Sequence, residues 1–292
     1  MAEAGRKVLL HDFIRMLEHE AGSRSGEDIE DVHQMRVATR RMRSALRIFA
    51  PYFKGKAFRT FRARLKKVAD ALGAVRDLDV LIDDLTKYEK KNGASLQAAV
   101  ALLAEQRTEA RTALRDALDR RDYNRFVVQF GEFLTTPGAS ARAVDTDAIA
   151  PNRVRHILPT LIYEHLGVVR AYDAAVTEGD AETLHALRIE FKRLRYLTHF
   201  FEEVLGSSAP DFLKDLKAIQ DHLGRMQDIQ VATGRLEDLM SGLSDEDAAA
   251  LTAYLDAINA ESDVLRAKFP EVWKKFNSVT TQRKLSNALL AL

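Results

Sequence analysis

The sequence has 292 residues, of which 46% are hydrophobic and 30% are charged, so the apolar content is sufficient for a sizeable core. Few glycines and prolines occur, which favours amphipathic helices over sheets. The absence of cysteine excludes disulfides, thiolate metal sites and cysteine nucleophiles, and charges interrupt every apolar stretch before it could serve as a signal peptide or a membrane span. We therefore expect a soluble, cytoplasmic, all-helical protein with no membrane partner.

Helical periodicity, punctuated by glycine and proline, predicts two groups of helices along the chain. The first group is predicted at residues 6–21, 27–50, 56–90, 95–120 and 123–135. Residues 136–150 contain proline, glycine and serine without periodicity, and are predicted to be a linker. The second group is predicted at residues 152–177, 181–205, 210–224, 227–241, 245–267 and 270–277. The sequence indicates no role for the tail from Asn277 to Leu292.

The two groups of helices share a basic motif. Residues 33–43 (HQMRVATRRMR) and residues 185–195 (HALRIEFKRLR) both read H-x-x-R-x-x-x-[RK]-R-[ML]-R. Each copy is followed by a second match, LKKVADALGAVRD at 65–77 and LKAIQDHLGRMQD at 216–228. Two matches in the same order at nearly the same spacing indicate an internal duplication. We expect two similar helical bundles related by a pseudo-two-fold axis, repeat 1 at about 6–135 and repeat 2 at about 151–277.

At about 100° per residue, the cations of each motif fall on one stripe of a helix and the apolar residues on the opposite side. The stripes consist of His33, Arg36, Arg40, Arg43 and Arg47 in the first copy, and of His185, Arg188, Lys192, Arg195 and His199 in the second. The helix that follows each motif adds Arg59, Arg62 and Lys66, or Lys214 and Lys217. No acidic residue occurs between Asp31 and Asp70. Like charges at helical spacing destabilise a helix slightly, so this pattern indicates a ligand.

A formal net charge of +1 hides this local field. Arginine makes forked hydrogen bonds to phosphate oxygens, lysine adds a mobile point charge, and a protonated histidine donates from both ring nitrogens. If the two bundles face each other, their stripes would line a basic channel for a linear polyanion. Inorganic polyphosphate is the best candidate, and binding is expected to strengthen as the pH falls.

The doubled motif, with the Leu-Gly segment after each copy, resembles the CHAD family, named for conserved-histidine α-helical domains, from about Lys7 to Phe276. The resemblance implies two helical bundles enclosing a basic central channel, polyphosphate binding, and association with polyphosphate granules. It also implies that the ligand-facing residues are His33, Arg36, Arg40, Arg43, His185, Arg188, Lys192 and Arg195. Gln227 stands where the first copy has Arg76, so the two halves are expected to contribute unequally.

The stripes allow two other interpretations, a solvated surface and a groove for nucleic acid. A run of cations is usually a solvated surface, although repetition of the same stripe argues against that here. Nucleic acid would also occupy a phosphate-tracking groove, but it requires exposed aromatic platforms. Phe58 and Phe61 lie in an apolar helix row and are predicted to be core, with Tyr52 and Phe53 nearby, so nucleic acid is the weaker candidate.

The same residues also allow two enzymatic interpretations. Both copies contain E-x-x-H, with Glu30 before His33 and Glu182 before His185, a pattern of carboxylate-bridged di-metal bundles. Neighbouring arginines oppose a dication, and further inward carboxylates cannot be assigned. Phosphohydrolysis would need clustered carboxylates for Mg²⁺ and a nucleophile. We therefore expect binding without catalysis, metal or cofactor.

The aspartates that end the Leu-Gly segments, Asp77 and Asp228, are predicted to be structural. Each could orient an arginine or cap a helix that begins after the Leu-Gly pair.

Overall fold

The computed structural model describes residues 1–145, 149–174, 176 and 179–292, without the side chains of Lys56 and Ala57. Within these residues the regular structure is helical, with an isolated antiparallel bridge between Phe53 and Ala141 in place of any strand. The prediction of an all-helical fold is confirmed. None of the helices in the described residues is long and apolar enough to cross a bilayer.

The chain forms two compact units. Unit 1 contains Met1–Ala148 and Gly242–Ala250, and unit 2 contains Ile149–Ser241 and Leu251–Leu292. The helices in the first segment of unit 1 are α1 (Ala2–Glu18), α2 (Glu20–Ser25), α3 (Ile29–Ile48), α4 (Gly55–Asn92), α5 (Gln97–Asp119) and α6 (Arg121–Thr135). The later helices are α7 (Val154–Arg170), α8 (Ala181–Phe200), α9 (Ala209–Glu237), α10 (Asp245–Phe276) and α11 (Val279–Leu289). Helix α10 starts in unit 1 and continues in unit 2.

The core of unit 1 is aromatic. Helix α3 packs against α1 and α4, and α6 packs against α1, α4 and α5. Their buried rings are Phe13, Phe53, Phe58, Phe61, Phe126, Phe130 and Phe133. The rings of Phe53 and Phe58 stack with their centroids 4.4 Å apart. Burial of Phe58 and Phe61 confirms that they belong to the core, so they offer no stacking surface to nucleic-acid bases.

The core of unit 2 is built on α8 and α9, with α7 and α11 packed against them. Phe191 of α8 contacts Trp273 and Phe276 of α10 edge to face. The indole Nε1 of Trp273 donates a hydrogen bond of 2.7 Å to Asp173 Oδ1, which satisfies its polar atom. The carboxyl-terminal tail forms α11, which buries Leu285 against this unit.

Several predicted helix boundaries are wrong. The stretches predicted at 210–224 and 227–241 form the single helix α9, and those at 245–267 and 270–277 form the single helix α10. Pro270 does not end α10, because the buried Phe269, Trp273 and Phe276 hold both sides of it against one core. The stretch predicted at 6–21 divides at His19 into α1 and α2, and the stretch predicted at 152–177 is helical in α7 only as far as Arg170.

The predicted linker at 136–150 is partly ordered by backbone contacts. The N–H of Lys54 donates to the carbonyl of Ser140 at 2.7 Å, and the N–H of Arg142 donates to the carbonyl of Tyr52 at 3.0 Å. Its first half is thereby attached to the loop between α3 and α4. Thr146, Asp147 and Ala148 of this linker, and Ala175, Thr177 and Glu178 near the end of the stretch predicted at 152–177, lie outside the described residues.

Candidate functional site

Face 1 is the basic side of α3. Its members are His33, Arg36, Arg40, Arg43 and Arg47. The opposite side of the helix is fully buried, with Met35 and Met42 both 0% exposed. The cations of face 1 are partly exposed, and Arg47 is exposed. The position of this face therefore follows from the apolar periodicity of α3, as the sequence predicts.

The guanidinium of Arg36 lies against α4 between a glycine and an aspartate. Its Nη2 is 3.1 Å from Oδ1 of Asp77. A Cβ atom at Gly73 would lie 3.8 Å from Nε of Arg36. That is an ordinary van der Waals distance, so Gly73 is a neighbour of the arginine and not a requirement for its position, while Asp77, one turn later, binds the end of the side chain.

A second carboxylate of α4 lies beside face 1. Lys66 Nζ donates to Asp70 Oδ2 at 2.6 Å, and Arg43 Nη1 is 3.9 Å from Asp70 Oδ1. The K-x(3)-D spacing of the motif is therefore an ion pair between residues one turn apart on a helix. Although the sequence has no acidic residue between Asp31 and Asp70, the fold places Asp70 and Asp77 beside face 1, where they lower its net positive charge.

Face 2 is the corresponding side of α8. Its members are His185, Arg188, Lys192, Arg195 and His199. Arg188 Nη2 is 3.7 Å from Asp228 Oδ1, and a Cβ atom at Gly224 would lie 4.0 Å from Arg188 Nε. Lys217 and Asp221 form the same one-turn ion pair as Lys66 and Asp70. The contacts of Arg36 in unit 1 thus recur around Arg188 in unit 2.

The two faces differ at their histidines. Nδ1 of His185 is hydrogen-bonded to the side-chain carbonyl of Gln227. Burial, followed by the positive charge of Arg76, lowers the pKa of His33 below its ordinary value of 6.5. His185 therefore has the neutral amide of Gln227 as its neighbour, whereas His33 has the positive charge of Arg76. This is the effect of the one-residue difference between the two copies of the motif.

Arg41 and Arg193, the second of the two adjacent cations in each motif, have other partners. Arg41 Nε donates to Asp12 Oδ1 at 2.7 Å, and that aspartate is 0% exposed. Burial raises the pKa of Asp12 and outweighs the opposing effect of Arg41. Arg193 instead pairs with Glu190 on its own helix. Of the paired cations, Arg40 and Lys192 belong to the faces, and Arg41 stabilises the bundle.

The other predicted ligand residues are exposed cations or have partners of their own. Arg59, Arg62 and Lys214 are exposed, and Nδ1 of His199 is 2.8 Å from Oε2 of Glu202. Gln220, which accepts a hydrogen bond of 3.1 Å from Arg195, was not identified from the sequence. A neutral side chain on a neighbouring helix carries no charge pattern by which it could be found.

Asp77 accepts a hydrogen bond from Arg36, and Asp228 lies 3.7 Å from Arg188, contacts that agree with the first of the two predictions, that these aspartates orient arginines. The alternative, that they cap helices beginning after the Leu-Gly pairs, is wrong because both lie inside the continuous helices α4 and α9. Within the described residues no group of three or more His, Asp or Glu side chains could hold a metal ion. The chemistry that the two faces offer is hydrogen bonding and charge, repeated at intervals of about one helical turn, roughly 5.4 Å.

Most of the chain matches the model of a known protein family. The model of the CHAD domain family matches residues 7–237. The uncharacterized proteins Rv2226 and MT2285 from two strains of Mycobacterium tuberculosis are each 29% identical over 218 residues, covering 70% of this chain and 39% of the relative. The chain thus spans about two fifths of the length of these relatives.

Two solved structures are similar over nearly the whole chain. The crystal structure of the CHAD domain from the plant Ricinus communis has a TM-score of 0.70 and 27% identity, covering 100% of this chain and 92% of that one. PptA from Streptomyces chartreusis has a TM-score of 0.70 at 16% identity, covering 94% and 99%. The second likeness is one of fold alone.

Proposed function

The chain belongs to the CHAD domain family, and from that premise we propose that it binds long-chain inorganic polyphosphate through faces 1 and 2 without hydrolysing it. The observation that carries the proposal is the repeated arrangement of Arg36 and Arg188. In each unit an arginine of the face lies beside an aspartate of the next helix, at 3.1 Å for Arg36 and Asp77 and at 3.7 Å for Arg188 and Asp228. Each aspartate keeps the guanidinium at the face, but it also takes up N–H groups that a phosphate oxygen would use, so a bound phosphate has to displace it in part.

Polyphosphate suits these faces better than a compact anion does. It carries about one negative charge on each unit and has no base to stack, and cations spaced along a rigid helix can each contact a different phosphate. Orthophosphate would contact too few of them at once, whereas each added phosphate of a long chain raises the effective concentration of the next. Release of counterions would make the logarithm of the affinity fall linearly with the logarithm of the salt concentration.

We further propose that units 1 and 2 are the two bundles expected from the doubled motif, related by a pseudo-two-fold axis, with both faces lining one basic channel. One polyphosphate chain would then engage both faces. Binding stoichiometry tests this: a long chain should saturate one protein molecule at one site, and Arg40→Glu and Lys192→Glu should each weaken that same site. Two independent sites of equal affinity would contradict a shared channel.

The absence of turnover and an association with polyphosphate granules also belong to this proposal. Incubation with long-chain polyphosphate in the presence of Mg²⁺ should release no orthophosphate above a buffer control. Sustained release that a face variant abolishes would instead identify an enzyme. A fluorescent fusion of the chain should co-localise with granules in cells that make them, and diffuse fluorescence would contradict that association.

The decisive experiment measures binding of the full chain to long-chain polyphosphate, with orthophosphate, pyrophosphate and triphosphate as controls. Affinity should rise with chain length. Labelled polyphosphate should be displaced by unlabelled polyphosphate, and far less by single-stranded DNA or transfer RNA at equal phosphate concentration. Displacement by nucleic acid at lower concentration than by polyphosphate would reverse the proposal.

A further inference from the structure

A groove lies in unit 2 beside face 2. It has a volume of about 360 Å³ and is lined by the start of α8, the second half of α9 and the middle of α10. Leu184, Leu223, Met226 and Ile229 form its apolar wall, and all four are buried. A groove of this size that combines an apolar wall with a few polar groups is typical of a small-molecule site.

The polar side chains are ordered along the groove. Thr233 on α9 contacts Asn259 on α10 at 3.2 Å, whereas His222 contacts the carbonyl of Leu265 at 2.8 Å, so the two helices run antiparallel. Arg266 donates to the carbonyl of Gly179, just before α8, at 3.2 Å. Because α10 runs antiparallel to α9 and Arg266 reaches the start of α8, Arg266 lies at the same end of the groove as His185.

The opposite end of the groove is acidic. Glu237 lines it ten residues beyond Gln227 on α9, which corresponds to about 15 Å along the helix. Between the two ends the polar lining is neutral and includes the amides of Gln227 and Gln230. The groove thus runs from an end with His185 and Arg266, where the carboxylate of Asp180 lies near Arg266, through amides beside an apolar wall, to the carboxylate of Glu237.

The matching positions of unit 1 carry different residues. Alignment of the two Leu-Gly segments places Asp79 where unit 2 has Gln230. Asp79 is 5% exposed and is bound by Nε of Arg107 on α5. Gln230 is exposed, and a Cβ atom at Gly234, four residues later, would meet nothing within 4 Å. In unit 1 the buried pair of Asp79 and Arg107 fills the space between α4 and α5. In unit 2 the corresponding region of α9, at Gln230 and Gly234, lines the groove.

We infer that this groove binds a nucleotide, with its phosphates at the His185 and Arg266 end and its base against the apolar wall. A planar base can pack on the exposed edge of this apolar wall. Gln227 already bonds to His185 and Gln230, so the amide of Gln230 is the group that meets the edge of the base. The carboxylate of Glu237 accepts a hydrogen bond from an exocyclic amino group, which favours adenine over a base without an amino group. Neither half of such a ligand would satisfy both ends of the groove.

Binding of ADP to the full chain tests the inference, with pyrophosphate and adenosine as the two halves of the ligand. Calorimetry should show ADP binding at least about tenfold more tightly than either half, which corresponds to about 1.4 kcal/mol. ADP binding no more tightly than pyrophosphate would overturn the inference, because the phosphates alone would then account for it.

Gly234→Leu should block the groove and weaken ADP binding by at least about tenfold. Gly167→Leu is the matched control, because Gly167 is also an exposed helical glycine of unit 2 with nothing within 4 Å of a Cβ atom, and it does not line the groove. Thr233→Leu provides a second blocking variant. Undiminished ADP affinity in both folded blocking variants would place the nucleotide elsewhere and refute the site.

The same variants separate this inference from the proposed function. Gly234 belongs to neither basic face, so Gly234→Leu should bind long-chain polyphosphate like the unchanged protein. ADP binding that is lost in Gly234→Leu supports the groove even if polyphosphate fails to bind. Normal polyphosphate binding without ADP binding refutes the groove and leaves the proposed function intact.

Discussion

Arg36 Nη2 lies 3.1 Å from Asp77 Oδ1, although the two residues belong to different helices and are 41 positions apart. Both side chains are partly exposed, and an ion pair of this kind contributes only about 0–1 kcal/mol to folding. The pair is thus of little importance for stability. It joins an arginine of face 1 to a carboxylate that holds the same hydrogen-bonding groups that a phosphate would use.

Asp77→Asn tests whether the aspartate competes with the ligand. We expect polyphosphate affinity to rise about two- to fivefold, because removal of one charge near the face is worth up to about 1 kcal/mol. The affinity is measured by titration at low salt. Asp83→Asn, which removes an exposed carboxylate paired with Lys87 on the same helix, is the control and should have no effect. A lower affinity in Asp77→Asn would show that orientation of Arg36 matters more than charge.

Arg40→Glu combined with Lys192→Glu should abolish polyphosphate binding while leaving the helical circular dichroism unchanged. Both side chains are partly exposed on their faces, so reversal of their charge repels phosphate without disturbing the core. Arg125→Glu with Lys268→Glu changes the net charge equally at exposed positions outside the faces. That control should bind with only a small loss, and an equal loss in both double variants would mean that total charge, not the faces, determines binding.

Affinity for polyphosphate should increase as the pH falls, and His33 should contribute to this increase. Burial and Arg76 lower the pKa of His33 in the free protein, so the ring is neutral at pH 7. Bound phosphate stabilises the charged ring and raises the pKa. Binding then takes up a proton, and affinity rises as the pH decreases from the bound-state pKa to the free-state pKa.

Titrations across roughly pH 8 to 6 measure this dependence. His33→Gln should reduce the slope, and the exposed His11→Gln should leave it unchanged. An identical slope in His33→Gln would remove this histidine from the proton linkage.

Arg41→Met should destabilise the protein by about 3–5 kcal/mol, because it leaves the buried Asp12 without its partner. Arg193→Met changes the same position of the second motif and breaks a pair with Glu190, whose side chain is 13% exposed where that of Asp12 is 0% exposed, so its effect should be smaller, about 1–2 kcal/mol. Urea unfolding measures both. Similar losses of stability would refute the distinction between these two arginines.

The loss in Arg41→Met should also depend on pH. Burial already raises the folded-state pKa of Asp12 above 3.8, and removal of Arg41 raises it further. An aspartate with a raised folded-state pKa weakens folding as the pH rises through that value, since the ionised form is then buried. The destabilisation should therefore be greater at pH 8 than at pH 5, and no difference would indicate that water reaches Asp12.

Much of the candidate site could be predicted because helical periodicity is local. Met35 and Met42 recur at the spacing of one helix face, which decides that Arg36 and Arg40 lie on the other. The roles of Gly73 and Gly224 could not be obtained in this way. A glycine inside a helix and a glycine that ends one look alike in sequence, and the predicted break after Gly224 was wrong because α9 continues through it, with Leu223 and Met226 buried on either side.

The sequence by itself determined the helices, their buried sides and the cations opposite them, because each depends on neighbours within a few residues. Only the tertiary structure decided which carboxylate meets which cation: Asp77 for Arg36, Asp12 for Arg41 and Asp228 for Arg188. These partners belong to different helices, and their meeting depends on how the helices pack. A periodic pattern specifies the direction in which a side chain points, but the packing of the neighbouring helix determines what it contacts.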